Sequence, residues 1–253
     1  MIAKSVMSSF QAVAATRLYR MIADQIAGRI RAGDFPRGAR LPSERELAEQ
    51  LQVSRASIRE ALIALEIEGY VEVRVGSGVF VTIAPDGAGF PPPGGPSPAG
   101  TADRDDIGPF DLLEARMLIE PDCAALAAHQ ATPAQIAAIR DAHADMSLTD
   151  SPGRHDREFH SAIAAACGNA ALASAVAHLW NLSQASPVYS RMQDYFVTTQ
   201  AWAAAHTEHQ RILNAIVARD PIRARHAMHT HLLGILARLR EDFDSFTDLR
   251  GNP

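Results

Sequence analysis

At 253 residues, 47% of them apolar and 21% charged, the chain can bury a real core in one large domain or two ordinary ones. It has no apolar run near the ~18 residues of a membrane span, no secretory-type apolar segment at its N-terminus, and two cysteines, Cys123 and Cys167, without CxxC spacing; this argues against a span, a leader and a disulfide framework, and points to a reducing cytoplasm. The net charge of −5 is uneven: residues 1–83 hold 11 basic and 9 acidic groups (+2) and the rest 13 and 20 (−7), a balance that suits a DNA-contacting module joined to a separate partner domain.

Leu18, Ile22, Ile26 and Ile30 recur at helical spacing, and Gly33-Asp34 with Pro36 ends that helix. Ser43 with Glu46 three residues later is a capping-box pattern opening a second helix, which carries Leu47 and Leu51. Ser54 caps a third, with Ile58, Leu62 and Leu65 on one face and Gly69 at its end. Val71, Val73 and Val75 then alternate with Glu72 and Arg74, the period of a half-buried strand. Gly76-Ser77-Gly78 makes a turn, and Val79, Phe80, Val81 and Ile83 a returning strand.

Residues 84–109 hold seven prolines and six glycines in 26 positions and read as a linker. Such a segment buries too little apolar surface to offset its ordering entropy, and the prolines at 91–93 should stiffen part of it. After it nearly everything reads as helix, over about 109–130, 133–147, 152–167, 169–184, 188–218 (whole or broken) and 220–246. The expected architecture is mostly α: a winged helix-turn-helix in residues 1–83, the linker, an all-helical bundle over 110–247 for effector binding and dimerisation, and a tail over 248–253.

Three helices followed by a two-stranded wing place one helix in the DNA major groove. Arg55 and Arg59, i and i+4 on the third helix, can bind guanine or phosphate. Ser54 and Ser57 can reach phosphates or base edges, and Arg45 sits where a helix crosses the backbone. Gly76, lacking a Cβ, permits close approach of the wing tip. The bland alternatives are solvated helix charges and an ordinary hairpin turn.

In the helical part, Asp156 and His160 share a face beside Phe159 and Ile163. His209 lies on an apolar face with Ile212, Leu213 and Ile216, and His231 on one with Met228, Leu232 and Ile235. Three imidazoles and a carboxylate turned inward could ligate a divalent metal. Hydrogen-bonded core histidines are the competing reading. His206, one turn before His209, could replace it; His229 faces away from His231; His155, His178 and His226 read as surface or helix-end residues.

The stretch LPSERELAEQLQVSRASIREALIALEIEGYVEVRVGSGVFV resembles the DNA-binding domain of the GntR family, whose pattern runs LPSEREL, VSRxxxREAL and a wing ending GxGxFV. The resemblance implies DNA contacts from Arg45, Ser54, Arg55, Ser57, Arg59 and Gly76; Ala56 stands where a threonine is common, so one polar contact is in doubt. From Phe110 onward the chain is similar to the C-terminal FCD domain of the FadR-type subgroup. The resemblance implies Asp156, His160, His209 and His231 as metal ligands, with zinc foremost and nickel or manganese as alternatives. EARMLIE matches the ExRxxxE pattern, which makes Arg116 a candidate for the effector's carboxylate or, equally, a salt-bridge partner of Glu120.

The resemblance further implies a homodimer on pseudo-palindromic operator DNA, a repressor answering to a small organic acid or sugar acid, and no enzymatic activity. A metalloenzyme is the competing class, since an open three-His, one-Asp site can activate water, but the sequence has no HExxH and the N-terminal module would be unexplained. A metal-free module, with the histidines binding the ligand directly, is the third.

Overall fold

The computed structural model describes residues 18–82, 107–146 and 152–239. The expected linker up to residue 106, the tail and the last turns of the final helix lie outside the described residues.

The first unit is three helices and a hairpin: α1 (Leu18–Arg31), α2 (Glu44–Leu51), α3 (Arg55–Ile67), β1 (Val71–Arg74) and β2 (Gly78–Val81). Tyr19, Ile22, Ile26 and Ile30 of α1 bury against α3, whose Ile58, Leu62, Ile63 and Leu65 have essentially no exposure. Ser43 and Glu46 form the full capping box on α2, the Ser43 hydroxyl accepting from Glu46 N at 3.3 Å and the Glu46 carboxylate from Ser43 N at 2.8 Å. Ser54 caps α3 by accepting from Ser57 N at 3.1 Å. The strands pair antiparallel, Val71 with Val81 and Arg74 with Gly78. Gly76 turns between them at φ +78, which an L side chain rarely adopts.

Seven helices follow among the described residues: α4 (Pro109–Gln130), α5 (Pro133–Asp145), α6 (Pro152–Ala166), α7 (Ala170–Ala185), α8 (Pro187–Phe196), α9 (Thr199–Val217) and α10 (Pro221–Leu239). The segment expected as one helix or two over 188–218 is two. Thr198 caps α9 by accepting from Ala201 N at 3.2 Å, and the chain leaves the helical conformation at Val197. Helix α4 is central, packed against α10, α6, α7 and α9. It stays helical through Pro121, which lacks the N–H for the carbonyl one turn back. The two units meet at α3, which packs against α8.

Candidate metal centre and nucleic-acid interface

Three helices of the second unit build one buried polar cluster. Asp156 and His160 come from α6, His209 from α9 and His231 from α10, and all four are buried. Their nearest ligating atoms lie within 4.8 Å of one another. His209 Nε2 stands 3.0 Å from His231 Nε2, 3.3 Å from His160 Nε2 and 3.1 Å from Asp156 Oδ1.

Carboxylates on the opposite ring nitrogens orient two of the three imidazoles. His160 Nδ1 pairs with Glu120 Oε2, and His231 Nδ1 with Glu208 Oε2 at 2.7 Å. A carboxylate on Nδ1 fixes the proton there and turns the Nε2 lone pair inward. Burial, and after it neighbouring imidazoles, push the basicity of His209 and His231 below the ordinary 6.5; the shift is stronger at His231, because close contact with Asp156 offsets part of it at His209. Neutral imidazoles are what a metal binds.

The donor set fits a divalent cation. Ligands about 2.0–2.1 Å from one ion stand roughly 3.0–3.4 Å apart, a range that holds the separations of His209 Nε2 from His231 Nε2 and from His160 Nε2. Asp156 Oδ1 is buried with the Nε2 of His209 at 3.1 Å but no well-formed hydrogen bond, and His209 Nδ1 is buried without a hydrogen-bond partner. An unsatisfied buried carboxylate oxygen costs several kcal/mol, on the order of a charged group's lost desolvation, and a cation would relieve it.

Arg116 and Glu120 on α4 adjoin the cluster, 1% and 2% exposed. Arg116 Nε donates to Glu120 Oε1 at 2.7 Å, so the salt bridge expected as one alternative is present. The other alternative is not thereby spent: Arg116 Nη2 is buried with no partner, and the guanidinium stacks on Trp180 at 3.8 Å. Burial would raise the Glu120 carboxyl, but the Arg116 charge and then His160 outweigh it and hold it at about 2. Tyr189 of α8 faces the same guanidinium, its phenol pushed up chiefly by burial. A small cavity of about 40 Å³ opens beside Asp156 and His231, walled by Tyr189, Gln193, Phe196, Arg238 and Leu239.

The remaining histidines separate as their faces suggest. His206 stacks on His143 at 4.4 Å and stays out of the cluster. His178 and His226 are exposed, and His155 pairs with Glu158 at 3.0 Å. Sequence reasoning missed Glu120 as a histidine partner, as well as Glu208, Trp180, Tyr189 and His143. Glu208 was findable as a carboxylate adjacent in sequence to the inward His209, though its partner His231 is on another helix; the others depend on tertiary packing.

The residues expected to meet DNA split in two. Arg45, Ser54 and Arg55 are exposed, Ser57 is half-buried, and Gly76 sits at the hairpin tip. Arg59 departs from the expected surface position: it is 1% exposed. Its Nε and Nη2 donate to both Glu44 carboxylate oxygens at 2.8 and 2.6 Å, and Nη1 donates to the Leu239 carbonyl. Its guanidinium lies 4.9 Å from the Phe196 ring centre. One helical turn does separate Arg55 from Arg59, but the second position falls where α3 meets the helical unit.

Residues 18–81 match the model for bacterial regulatory proteins of the gntR family, and residues 111–234 match that for the FCD domain. The Exu regulon transcriptional regulator of Escherichia coli (strain K12) is 35% identical over 226 residues, covering 85% of this chain and 82% of that one. The chain belongs to the GntR family. The Uxu operon transcriptional regulator of the same organism is also 35% identical, over 94% of this chain and 92% of its own. The solved Streptococcus agalactiae GntR structure covers 86% of this chain and 98% of its own at 29% identity, with a TM-score of 0.43. This GntR protein is thus a DNA-binding transcription regulator with a C-terminal FCD domain, and not an enzyme. No described helix is long and apolar enough to cross a membrane.

Proposed function

We propose that this regulator binds a short pseudo-palindromic operator as a homodimer in the cytoplasm, most simply as a repressor, and that a small carboxylate bound beside a divalent metal controls that binding. The observation that carries the reading is the convergence of three Nε2 atoms and an orphaned Asp156 oxygen on one point. Asp156, His160, His209 and His231 would hold the metal, zinc first, with nickel or manganese as alternatives. The bound ion supplies positive charge that offsets the cost of burying an anion.

The chain's own groups do the rest. Glu120 and Glu208 orient two imidazoles. Arg116 keeps Nη2 available for a second, charge-assisted hydrogen bond to an organic acid or sugar acid while Glu120 pins its Nε. At the other unit, Arg55 would read base edges, with Ser54, Ser57, Arg45 and Gly76 on the backbone and Arg59 joining when the helix is free. The regulators it resembles are named for a regulon and an operon, which supports an operon as the target.

Fluorescence anisotropy on promoter DNA upstream of its own gene tests the reading. A panel of sugar acids and small organic acids is added to metal-loaded and chelator-treated protein. At least one acid should change operator affinity, and only with metal present. Affinity unchanged by every acid at saturation would reject the effector control.

A further inference from the structure

Two carboxylates behind the cluster divide their oxygens in the same way. Glu120 accepts with Oε2 from Nδ1 of His160 and with Oε1 from Nε of Arg116, the latter at 2.7 Å. Glu208 accepts with Oε2 from Nδ1 of His231 at 2.7 Å and faces Arg238 Nη1 with Oε1 at 3.7 Å. Each carboxylate thus ties one imidazole of the cluster to one guanidinium. The first relay ends in Arg116, which the function proposed above uses for an acid. The second ends in Arg238 of α10, to which that function gives no part.

Arg238 is placed to meet a ligand. It lines the same cavity as Asp156, Tyr189 and His231, and Arg116 lies against the Tyr189 of that wall. At 3.7 Å its ion pair with Glu208 is longer than the roughly 2.7–2.9 Å of a charge-assisted hydrogen bond, so donors of its five-N–H fork are left over. Its side chain is 28% exposed, where the cavity meets solvent. Gly234, one turn earlier, leaves the room it uses: a Cβ there would stand 3.3 Å from Arg238 Nη1 and 3.4 Å from Glu208 Oε1.

The cavity also sets a size. At about 40 Å³ it takes about three or four waters at roughly 10–15 Å³ of such volume each, which at about 30 Å³ of liquid per water is the space of ~90–120 Å³ of ligand. An acid of three or four carbons fills that space, and a six-carbon sugar acid exceeds it.

We propose that Arg238 is a second anion-binding residue of the effector site, and that the effector is a dicarboxylate of three or four carbons, with one carboxylate directed at the metal ligands and Arg116 and the other at Arg238. This rests on the effector reading above and narrows it. Two guanidiniums on one small cavity offer a charge-assisted contact to each carboxylate. An acid with a single carboxylate leaves the second fork unmet, and discrimination comes from that missing contact.

Isothermal titration calorimetry on the metal-loaded full chain tests this with matched pairs, malonate against propionate and succinate against butyrate. At least one diacid should bind about tenfold or more tightly than its monoacid partner, the least that one hydrogen bond to a charged group is worth. Arg238→Gln should bring the diacid's affinity down to the monoacid's, with the monoacid's own affinity and the metal content unchanged. Arg238→Lys should keep part of the preference. Equal affinities within both pairs, or a sugar acid that binds while no diacid does, overturn the dicarboxylate and leave the effector reading standing. An undiminished preference in Arg238→Gln overturns the role of Arg238. If no acid of any kind binds the metal-loaded parent, the effector reading itself fails and this inference with it.

Discussion

Glu208 Oε2 lies 2.7 Å from Nδ1 of His231, and the two residues sit on different helices, α9 and α10. The pair fixes which imidazole nitrogen faces the cluster. Glu208→Ala should therefore lower metal affinity about 10–100-fold, the usual loss when a ligand's supporting carboxylate is removed. Competition with a chromophoric chelator measures it. Unchanged affinity would mean that His231 is oriented by packing alone.

Arg116 bridges structure and recognition. Arg116→Ala would strand the buried Glu120 carboxylate, a change worth roughly 3–5 kcal/mol, so it is a poor probe. Arg116→Lys keeps a charge near Glu120 but has no second fork nitrogen. It should retain metal while losing most of its response to the effector acid, measured by thermal shift, because the ligand's carboxylate loses the Nη2 donor. A full response in Arg116→Lys would show that Nη2 does not meet the ligand.

Arg55 and Arg45 should behave differently on DNA. Arg55→Ala should cost ~1–3 kcal/mol of specific affinity and relax preference at one base pair if it reads guanine. Arg45→Ala should weaken binding to all sequences alike and reduce the salt slope by about 1 if it meets phosphate. Titrations at several salt concentrations on operator and scrambled duplexes distinguish them. Equal losses on both duplexes for Arg55→Ala would remove it from base reading.

The capping box at the start of α2 gives a stability prediction with a defined pH window. Ser43→Ala should destabilise by ~1 kcal/mol through the lost cap. The Glu46 carboxyl is held below its ordinary 4.5, first by the Ser43 backbone N–H and then by the Ser43 hydroxyl. A depressed carboxyl contributes stability above its unfolded value that disappears as pH falls through the folded value. The stability gap between the parent and Glu46→Gln should thus be largest above pH 4.5 and close in stronger acid. Denaturant melts at several pH values check this; a gap independent of pH would mean the carboxylate charge contributes nothing.

Most of the first unit was legible because local rules decide it. Caps at Ser43 and Ser54 and the alternation at Val71 and Val73 are short-range, and each element formed where they predict. The four candidate ligands were legible as inward positions on separate amphipathic helices, and packing brings all four together. The partners on their far nitrogens were not, since Glu120 meets His160 across 40 residues. Helical spacing put Arg55 and Arg59 together, but it carries no information about which surface covers the second. That depends on α8 and α10, more than 120 residues away. Pro121 could have been read as a break in α4. The helix continues because the proline removes one hydrogen bond from an element packed by four others.

Elemental analysis of the purified full-length protein, beside a variant carrying alanine at Asp156, His160, His209 and His231, tests the metal centre most directly. About one divalent ion per chain is predicted for the parent, by the one-site reading of its donor set, and none for the variant. A parent that takes up no ion from micromolar zinc, nickel or manganese, or a folded variant that retains its full complement, would contradict it.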